Sequence, residues 1–186
     1  MKKYLIITVM FLLLTSCSEM FKEKGLERTD IINIYNELKK DSTYTKFIGY
    51  HIVRRDNENY FMHRNLMVDS SDFIVPNWKA SEGTKGYKEK ELFLKNNHDA
   101  KLQFDIMNEL GIRAVLTYNY NPETKRLESD ENIGYEFDKY ELTFMLSDSI
   151  EISTINFSFD DYMKIKSKYY EVTEKLDSNW FVLKRK

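Results

Sequence analysis

The N-terminal 17 residues constrain the chain most, because they have the features of an export signal and not of a folded element. Two lysines follow Met1, an uncharged run extends from Tyr4 to Leu14, and two small residues precede Cys17. A charged start, an apolar run of about 7 to 15 residues and a small-residue cleavage region are typical of a secretory signal peptide. The 11-residue run is shorter than the roughly 18 to 20 residues needed to span a membrane. We therefore expect residues 1–16 to be removed and the fold to begin after them.

The cleavage region has a more specific pattern than that of an ordinary secretory protein. Leu14-Thr15-Ser16-Cys17 is an aliphatic residue, two small residues and a cysteine, which resembles the lipobox of bacterial lipoprotein precursors. In that family a diacylglyceryl group is attached to the cysteine sulfur, the chain is cut just before it, and the new amino group is commonly acylated. The resemblance implies that Cys17 is the lipid attachment site and that residues 17–28 tether the domain. The alternative is a plain secretory peptide in which a cysteine happens to follow.

The cysteine count favours lipidation. Cys17 is the one cysteine of the 186-residue chain, so no intrachain disulfide can form and a lipid thioether would remove a lone exposed thiol. Two or more acyl chains hold a protein firmly on a membrane, whereas one binds reversibly. Ser18 resembles the residue that follows the lipidated cysteine in lipoproteins sorted to the outer membrane, where aspartate signals retention at the inner membrane. We therefore expect an envelope protein, anchored by lipid in the outer membrane.

Composition predicts one globular domain over residues 29–186. Removal of residues 1–16 leaves 170 residues with 26 basic and 30 acidic side chains, so neither a nucleic-acid-binding surface nor a polybasic membrane patch is expected. With 42% hydrophobic and 15% aromatic residues in the whole chain, the domain has enough apolar side chains for a packed core.

Periodicity predicts an α+β fold with a mainly antiparallel sheet packed with two or three helices. Thr29 or Asp30 caps a first helix with an apolar stripe. Residues 44–54 and 60–67 flank a turn-forming cluster and predict a hairpin. Residues 68–87 are irregular apart from a short strand over 73–75. Residues 88–96 predict a short helix, with a strand over 92–94 as the alternative. The stripe of the first helix comprises Ile31, Ile34, Tyr35 and Leu38.

A second helix, capped by Asn97, precedes the clearest strand. Its stripe comprises Leu102, Ile106 and Leu110 and is widened by Phe104 and Met107. Gly111 supplies the left-handed residue that ends the helix, and a strand over 112–120 follows. Later strands are predicted over 133–137, 140–146 and 150–159, and the change of parity between Ile152 and Ile155 suggests a β-bulge.

The C-terminal segment has two interpretations. Asp160 caps a turn or helix through Tyr162 and Ile165; continued, this helix would also align Tyr169, Val172 and Leu176. Alternatively the helix ends near Lys168, and residues 169–176 and 180–184 form a hairpin. The Tyr-Tyr-x-Val-Thr sequence and the missing glycine stop favour the hairpin.

Catalytic motifs are absent from the sequence: it contains no GxSxG, HExxH, P-loop or CxxC pattern, and no cofactor is expected. The imidazole bases are His51, His63 and His98. If Arg55 faces Tyr60 in the predicted hairpin, His51 lies opposite Arg64 and the first two imidazoles point to opposite faces. A metal site requires a third ligand, so none is expected.

Acidic and aromatic side chains are the remaining candidates for a site. The carboxylates between residues 128 and 138 predict a solvated surface more than an acid-base pair; they are Glu128, Asp130, Glu131, Glu136 and Asp138. Trp78, Tyr118 and Tyr120 are candidate binding residues, with Tyr135 and Tyr140 nearby, because aromatic side chains are enriched at interfaces. Packing of these rings against the domain's own helices is the alternative.

These patterns predict a lipid-anchored envelope protein whose α+β domain binds a protein or glycan partner without catalysis. The alternatives are an extracytoplasmic hydrolase that uses the His51/His63 hairpin or the acidic segment, and a periplasmic immunity-type lipoprotein. A deep pocket with a histidine hydrogen-bonded to both a serine and a carboxylate would favour the hydrolase.

Overall fold

The structure of the protein is a computed structural model that describes most of the predicted domain. The predicted signal peptide, Cys17, Trp78, His98 and the predicted strand over 133–137 lie outside the described residues. The described residues are 26–54, 60–64, 73–75, 82–83, 87–96, 99–128 and 138–186.

The predicted α+β fold is confirmed. Within the described ranges the helices are α1 (Arg28–Lys39), a 3₁₀ segment (Lys40–Phe47), α2 (Tyr87–Asn96), α3 (Ala100–Glu109) and α4 (Phe159–Lys166). The strands in the same ranges are β1 (Tyr50–Arg54), β2 (Tyr60–Arg64), β3 (Phe73–Val75), β4 (Ala114–Asn121), β5 (Arg126–Glu128), β6 (Tyr140–Met145), β7 (Ile150–Ile155), β8 (Tyr170–Lys175) and β9 (Trp180–Arg185). They form one sheet in the order β3-β2-β1-β4-β6-β7-β9-β8, with β5 paired to β4. Every one of these pairings is antiparallel.

The chain divides into two compact units within α1, between Asn33 and Ile34. The second unit, Ile34–Lys186, contains the whole described sheet. Among the helices that the structure describes, none combines the length and the apolar character that a membrane crossing requires.

The central strands are buried on both faces of the sheet. On one face, the ring of Phe47 from the 3₁₀ segment meets Phe144 edge to face at 5.5 Å, and Tyr35 of α1 meets Trp180 at 5.5 Å. On the other face, Tyr162 of α4 packs on Phe181 at 5.9 Å. Because successive strand residues point to opposite faces, β9 supplies an aromatic ring to each layer.

Double-sided burial explains why the predicted β-bulge in β7 is wrong. The pairing of β6 with β7 runs without a shift from Glu141↔Ile155 to Met145↔Glu151. Ile152 and Ile155 therefore face the two different layers of the core, and their change of parity needs no extra residue. The register shift occurs instead in β8, between Val172 and Glu174.

Two boundaries in the N-terminal half also differ from prediction. Residues 44–47 are 3₁₀ helix and not strand, because Asp41 (φ 51°) and Ser42 (φ 56°) turn the chain after α1 and carry Phe47 into the core. The hairpin forms, but Arg54 and not Arg55 pairs with Tyr60.

Several sequence predictions near the later elements are confirmed. Gly111 has φ 68°, and the N–H of Ile112 donates to the carbonyl of Met107 at 2.9 Å, which ends α3 in a Schellman motif. The C-terminal hairpin of β8 and β9 forms, and α4 stops at Lys166. Strand β7, by contrast, ends at Ile155 and not at the predicted residue 159.

Asp177 connects the β8–β9 turn to α1. Its Oδ1 accepts the backbone N–H groups of Asn179 (2.8 Å) and Trp180 (3.0 Å), and its Oδ2 accepts the Tyr35 hydroxyl (2.8 Å) and the Lys39 ammonium (2.6 Å). Partial burial opposes ionisation, but these donors, led by Lys39, lower the pKa of Asp177 to about 2. The carboxylate therefore stabilises both the turn and the position of the helix.

We expect Asp177→Asn to lower the free energy of unfolding at pH 7 by about 1 kcal/mol, after allowance for solvent screening. In the native protein this contribution is present above the unfolded pKa of about 3.9, and it is lost as the pH falls through the folded pKa of about 2. Urea denaturation between pH 7 and pH 2 measures both effects. Asp148→Asn is the matched control, because the Asp148 side chain is 83% exposed although it pairs with Arg113. An equal loss in both variants would contradict the prediction.

Candidate functional site

A group of polar side chains is buried where α4 covers the sheet. Glu141 and Thr143 come from β6, Ser153 from β7 and Tyr162 from α4, and all four are almost inaccessible to solvent. Register explains how they meet, because Thr143 lies directly opposite Ser153 across the β6–β7 pair. Lys166, one helical turn after Tyr162, extends into the same place, with its side chain only 12% exposed. We call Glu141, Thr143, Glu151, Ser153, Tyr162 and Lys166 the buried polar cluster.

One carboxylate oxygen organises this cluster. Oε1 of Glu141 accepts hydrogen bonds from the hydroxyls of Thr143 (3.0 Å), Ser153 (3.3 Å) and Tyr162 (3.0 Å). It also lies 2.7 Å from the ammonium nitrogen of Lys166. The same ammonium group is 3.6 Å from Oε1 of Glu151. Two carboxylates thus share a single buried cation.

Aromatic rings enclose the Lys166 ammonium group. Its nitrogen lies 5.0 Å from the centre of the Tyr170 ring, 5.8 Å from that of Tyr118 and 5.9 Å from that of Tyr162. Distances of this size permit a cation–π attraction, which strengthens when water is excluded. The ammonium group is therefore held by two acids and three rings.

Burial and charge set the protonation of the cluster. Burial lowers the pKa of Lys166, but the negative charges of Glu141 and Glu151 outweigh it and raise the pKa overall. Burial raises the pKa of Glu151, although Lys166 opposes the shift. The pKa of Tyr162 is well above its usual value, because the hydroxyl is buried and faces Glu141.

The charged state of Lys166 favours a structural role for the buried polar cluster over a catalytic one. A lysine that acts as a nucleophile or base needs a lowered pKa, whereas the neighbouring acids keep Lys166 charged. In the described part of the chain, no three His, Cys, Asp or Glu side chains converge to hold a metal ion. The ammonium group of Lys166 joins α4 to Glu141 and Glu151 of the sheet and so fixes the helix in place.

The sequence-predicted binding residues occupy different environments. Tyr118 is half-buried beside Lys166, at the edge of the buried polar cluster. Tyr120 is buried, and its ring stacks on Phe157 with centroids 4.1 Å apart, so most of its surface contacts the protein itself. Their binding roles stay predictions, and Trp78 lies outside the described residues.

The structure settles the register of the candidate histidine pair, which the sequence left open. His51 lies directly opposite His63, and not Arg64, in the β1–β2 ladder. The Nε2 atom of His51 lies 2.5 Å from the carbonyl oxygen of Thr117, and its ring leans on Tyr118 at 5.6 Å. This nitrogen therefore already has a backbone partner in the structure. In the acidic segment, only Glu128 and Asp138 belong to the described residues, and they precede and follow the gap.

Helix α3 presents a second apolar stripe that the core does not use. The buried positions of α3 are Ala100, Gln103, Phe104 and Met107. The sequence combined two of these with Leu102, Ile106 and Leu110 into one wide stripe. In the structure Leu102 is 45% exposed, and Ile106 and Leu110 are only partly buried.

This second stripe lines a groove of about 240 Å³. The opposite wall is formed by the end of α1 and the start of the 3₁₀ segment. The lining residues are Glu37, Lys40, Asp41, Thr43, Leu102, Ile106, Glu109 and Leu110. We call them the α1–α3 groove, and every one belongs to the unit that begins at Ile34.

Side-chain hydrogen bonds to backbone carbonyls support the 3₁₀ segment that forms one wall of the groove. The side-chain amide of Gln103 donates to the carbonyl of Lys46 at 2.6 Å, which ties α3 to the 3₁₀ segment. The Thr43 hydroxyl donates to the carbonyl of Lys40 at 2.7 Å. Asp41 and Ser42, which lie between Lys40 and Thr43, have left-handed φ values. Such values are unfavourable for residues other than glycine. The groove edge is therefore a defined turn.

Comparison of the chain with protein-family models, curated proteins and solved structures finds no match. Its function must therefore be inferred from the groove and the buried polar cluster themselves.

Sequence reasoning did not identify either feature. Neither Glu141 nor Glu151 was considered as a site residue, although both point into the α4 layer. One signal was available: Tyr162 and Lys166 are spaced i, i+4 on a helix, which directs an aromatic ring and a cation to the same side. Their acidic partners on the sheet depend on register, which local sequence does not specify.

We expect Lys166→Met to destabilise the protein by about 3 kcal/mol at pH 7, because two buried carboxylates would lose their cation. Burial already raises the pKa of Glu151; without the cation this pKa would rise further, and the charge on Glu151 would be penalised above it. The variant should therefore be least stable at neutral pH and recover part of its stability towards pH 5.

Urea denaturation of the wild type and the variant between pH 5 and pH 8 measures this difference. Lys164→Met is the matched control, because Lys164 is on the same helix and pairs with Asp161 at the surface; we expect only a small change. A pH-independent loss in Lys166→Met would show that the ammonium group does not compensate the two acids.

Proposed function

We propose that the protein is a lipid-anchored bacterial envelope protein whose α+β domain binds a protein partner in the α1–α3 groove, without catalysing a reaction. The lipobox-like Leu14-Thr15-Ser16-Cys17 sequence supports the anchor, and Ser18 supports outer-membrane sorting. The observation that carries the binding function is the exposed apolar stripe on α3, since Leu102 is 45% exposed although the opposite side of the same helix is fully buried.

A protein partner fits the groove better than a glycan does. The described residues that line it include aliphatic side chains on one wall and charged ones on the other, but no aromatic ring. An apolar centre with a polar rim is a common layout of a protein interface. A surface for sugars would be expected to offer a flat ring for stacking.

The anchor is tested by expressing the full chain in a bacterial host that has two membranes and processes lipoproteins. We expect mass spectrometry to find an N-terminal peptide that begins at a diacylglyceryl-modified Cys17, and the protein to fractionate with the outer membrane. Cys17→Ser should abolish the modification and release the protein from the membrane, because acyl chains supply the attachment.

Ser18→Ala is the matched control for this experiment, since it alters the adjacent residue and leaves the sulfur in place. It should keep the lipid. A free thiol at Cys17 in the wild type, an intact Met1, or membrane attachment of the Cys17→Ser variant would contradict the proposed anchor.

Partner binding is tested with a photoreactive phenylalanine analogue at position 102 of the anchored chain. Irradiation of cells should yield discrete, protease-sensitive adducts, because Leu102 faces the groove. The matched control places the analogue at Leu92, which is 62% exposed on α2 and should not give these adducts. No adduct at position 102, or the same adducts at both positions, would contradict a protein-binding groove.

A further inference from the structure

The α1–α3 groove carries an excess of negative charge around its apolar wall. Glu37, Asp41 and Glu109 are exposed acids among its lining residues, and Lys40 is the one basic residue there. Lys40 approaches Glu37 at only 4.0 Å, with both side chains more than half exposed. A surface pair of this kind contributes little. The lining residues carry three acidic charges and one basic charge, so the groove has a net charge of −2.

The backbone adds to this negative potential. Helix α1 ends at Lys39, next to Lys40 and Asp41, and α3 ends at Glu109. The C-terminal end of a helix carries a partial negative charge of about half an electron, produced by its aligned peptide dipoles. Two helix ends and three carboxylates therefore border the same groove.

The apolar stripe of α3 offers a surface on which side chains of a bound partner can pack. Leu102, Ile106 and Leu110 are spaced by four residues, so they follow one line along α3. Aliphatic side chains of a partner can pack on this line, while cations beside them reach the acidic rim. A groove of about 240 Å³ holds only one or two such side chains, so the recognised element is short.

We propose that the α1–α3 groove binds a short protein segment that carries one or two aliphatic anchors flanked by lysine or arginine. This inference rests on the proposed protein-binding function and adds the chemistry of the partner. Electrostatic complementarity of this kind mainly determines specificity and association rate, whereas the buried aliphatic side chains supply affinity. Raised ionic strength should therefore weaken binding without abolishing it.

The test uses the full lipidated chain in nanodiscs of phosphatidylcholine, and empty nanodiscs correct for peptide that binds lipid. The probe is a short fluorescent peptide with leucines at i and i+4 flanked by lysines. Two matched peptides replace the lysines by glutamates or the leucines by serines. We expect the leucine-lysine peptide to bind at least about tenfold more tightly than either of them, as measured by fluorescence anisotropy.

Variants locate the binding site on the protein. Leu102→Ser and Glu109→Lys should each weaken binding of the leucine-lysine peptide by about tenfold. Both substitutions change exposed side chains, and thermal melting tests whether each variant is folded. Glu37→Lys provides a second charge reversal, on the opposite wall of the groove. Leu92→Ser, which alters the 62% exposed leucine of α2, is the matched control and should leave affinity unchanged.

The outcomes separate this inference from the proposed function. No binding of the leucine-lysine peptide, equal binding of the glutamate peptide, or an equal loss in Leu92→Ser would overturn the basic-segment proposal. If photo-adducts form at position 102 under any of these outcomes, the protein-binding function stands and only the partner chemistry is wrong. If neither adducts nor peptide binding occurs, both proposals fail.

Discussion

The short contact between the Lys166 ammonium group and Glu141, at 2.7 Å, is the interaction on which the arrangement of the C-terminal half depends. Helix α4 has only eight residues and would be marginal by itself. It is held because its cation and the Tyr162 hydroxyl meet the same carboxylate oxygen at the centre of the sheet. Few alternative positions of the helix are possible, because moving the ammonium group away would leave a buried carboxylate without a neighbouring positive charge. The cluster thus specifies where the helix lies more than it adds stability.

The fold class, the second hairpin and the helix-glycine-strand unit were predictable because their signals are local. Gly111 supplies a backbone conformation that other residues adopt poorly, and the residues around it need no distant partner to be recognised. The bulge in β7 was wrongly predicted because the alternation of apolar and polar residues was interpreted as a strand with one buried face. In the structure, both faces of the sheet are covered at β7. The sequence left the β1–β2 register open, and the structure differs by one residue from the register in which Arg55 would face Tyr60. The 3₁₀ segment was missed because Asp41 and Ser42 adopt left-handed φ values although neither is glycine.

Neither candidate site could be located from sequence, for a physical reason that the two share. Glu141 and Glu151 meet Lys166 only after β6, β7 and α4 have packed, so no linear spacing identifies them. On α3, the residues at 102, 106 and 110 have the spacing of a core stripe. Which of two neighbouring apolar stripes is buried depends on the rotation of the helix. Here Phe104 and Met107 are buried together with Gln103, whose side-chain amide donates to the Lys46 carbonyl. The unused stripe then becomes available at the surface.

The register shift in β8 has a consequence for how copies of the protein meet one another. Within the described sheet β8 is a terminal strand, and such a strand can recruit another copy through its open backbone groups. The irregularity between Val172 and Glu174 interrupts the regular spacing that a neighbouring strand would have to match. Glu171 and Lys175 expose charges along the same strand. These features make it unfavourable for two copies to join their sheets into a continuous assembly.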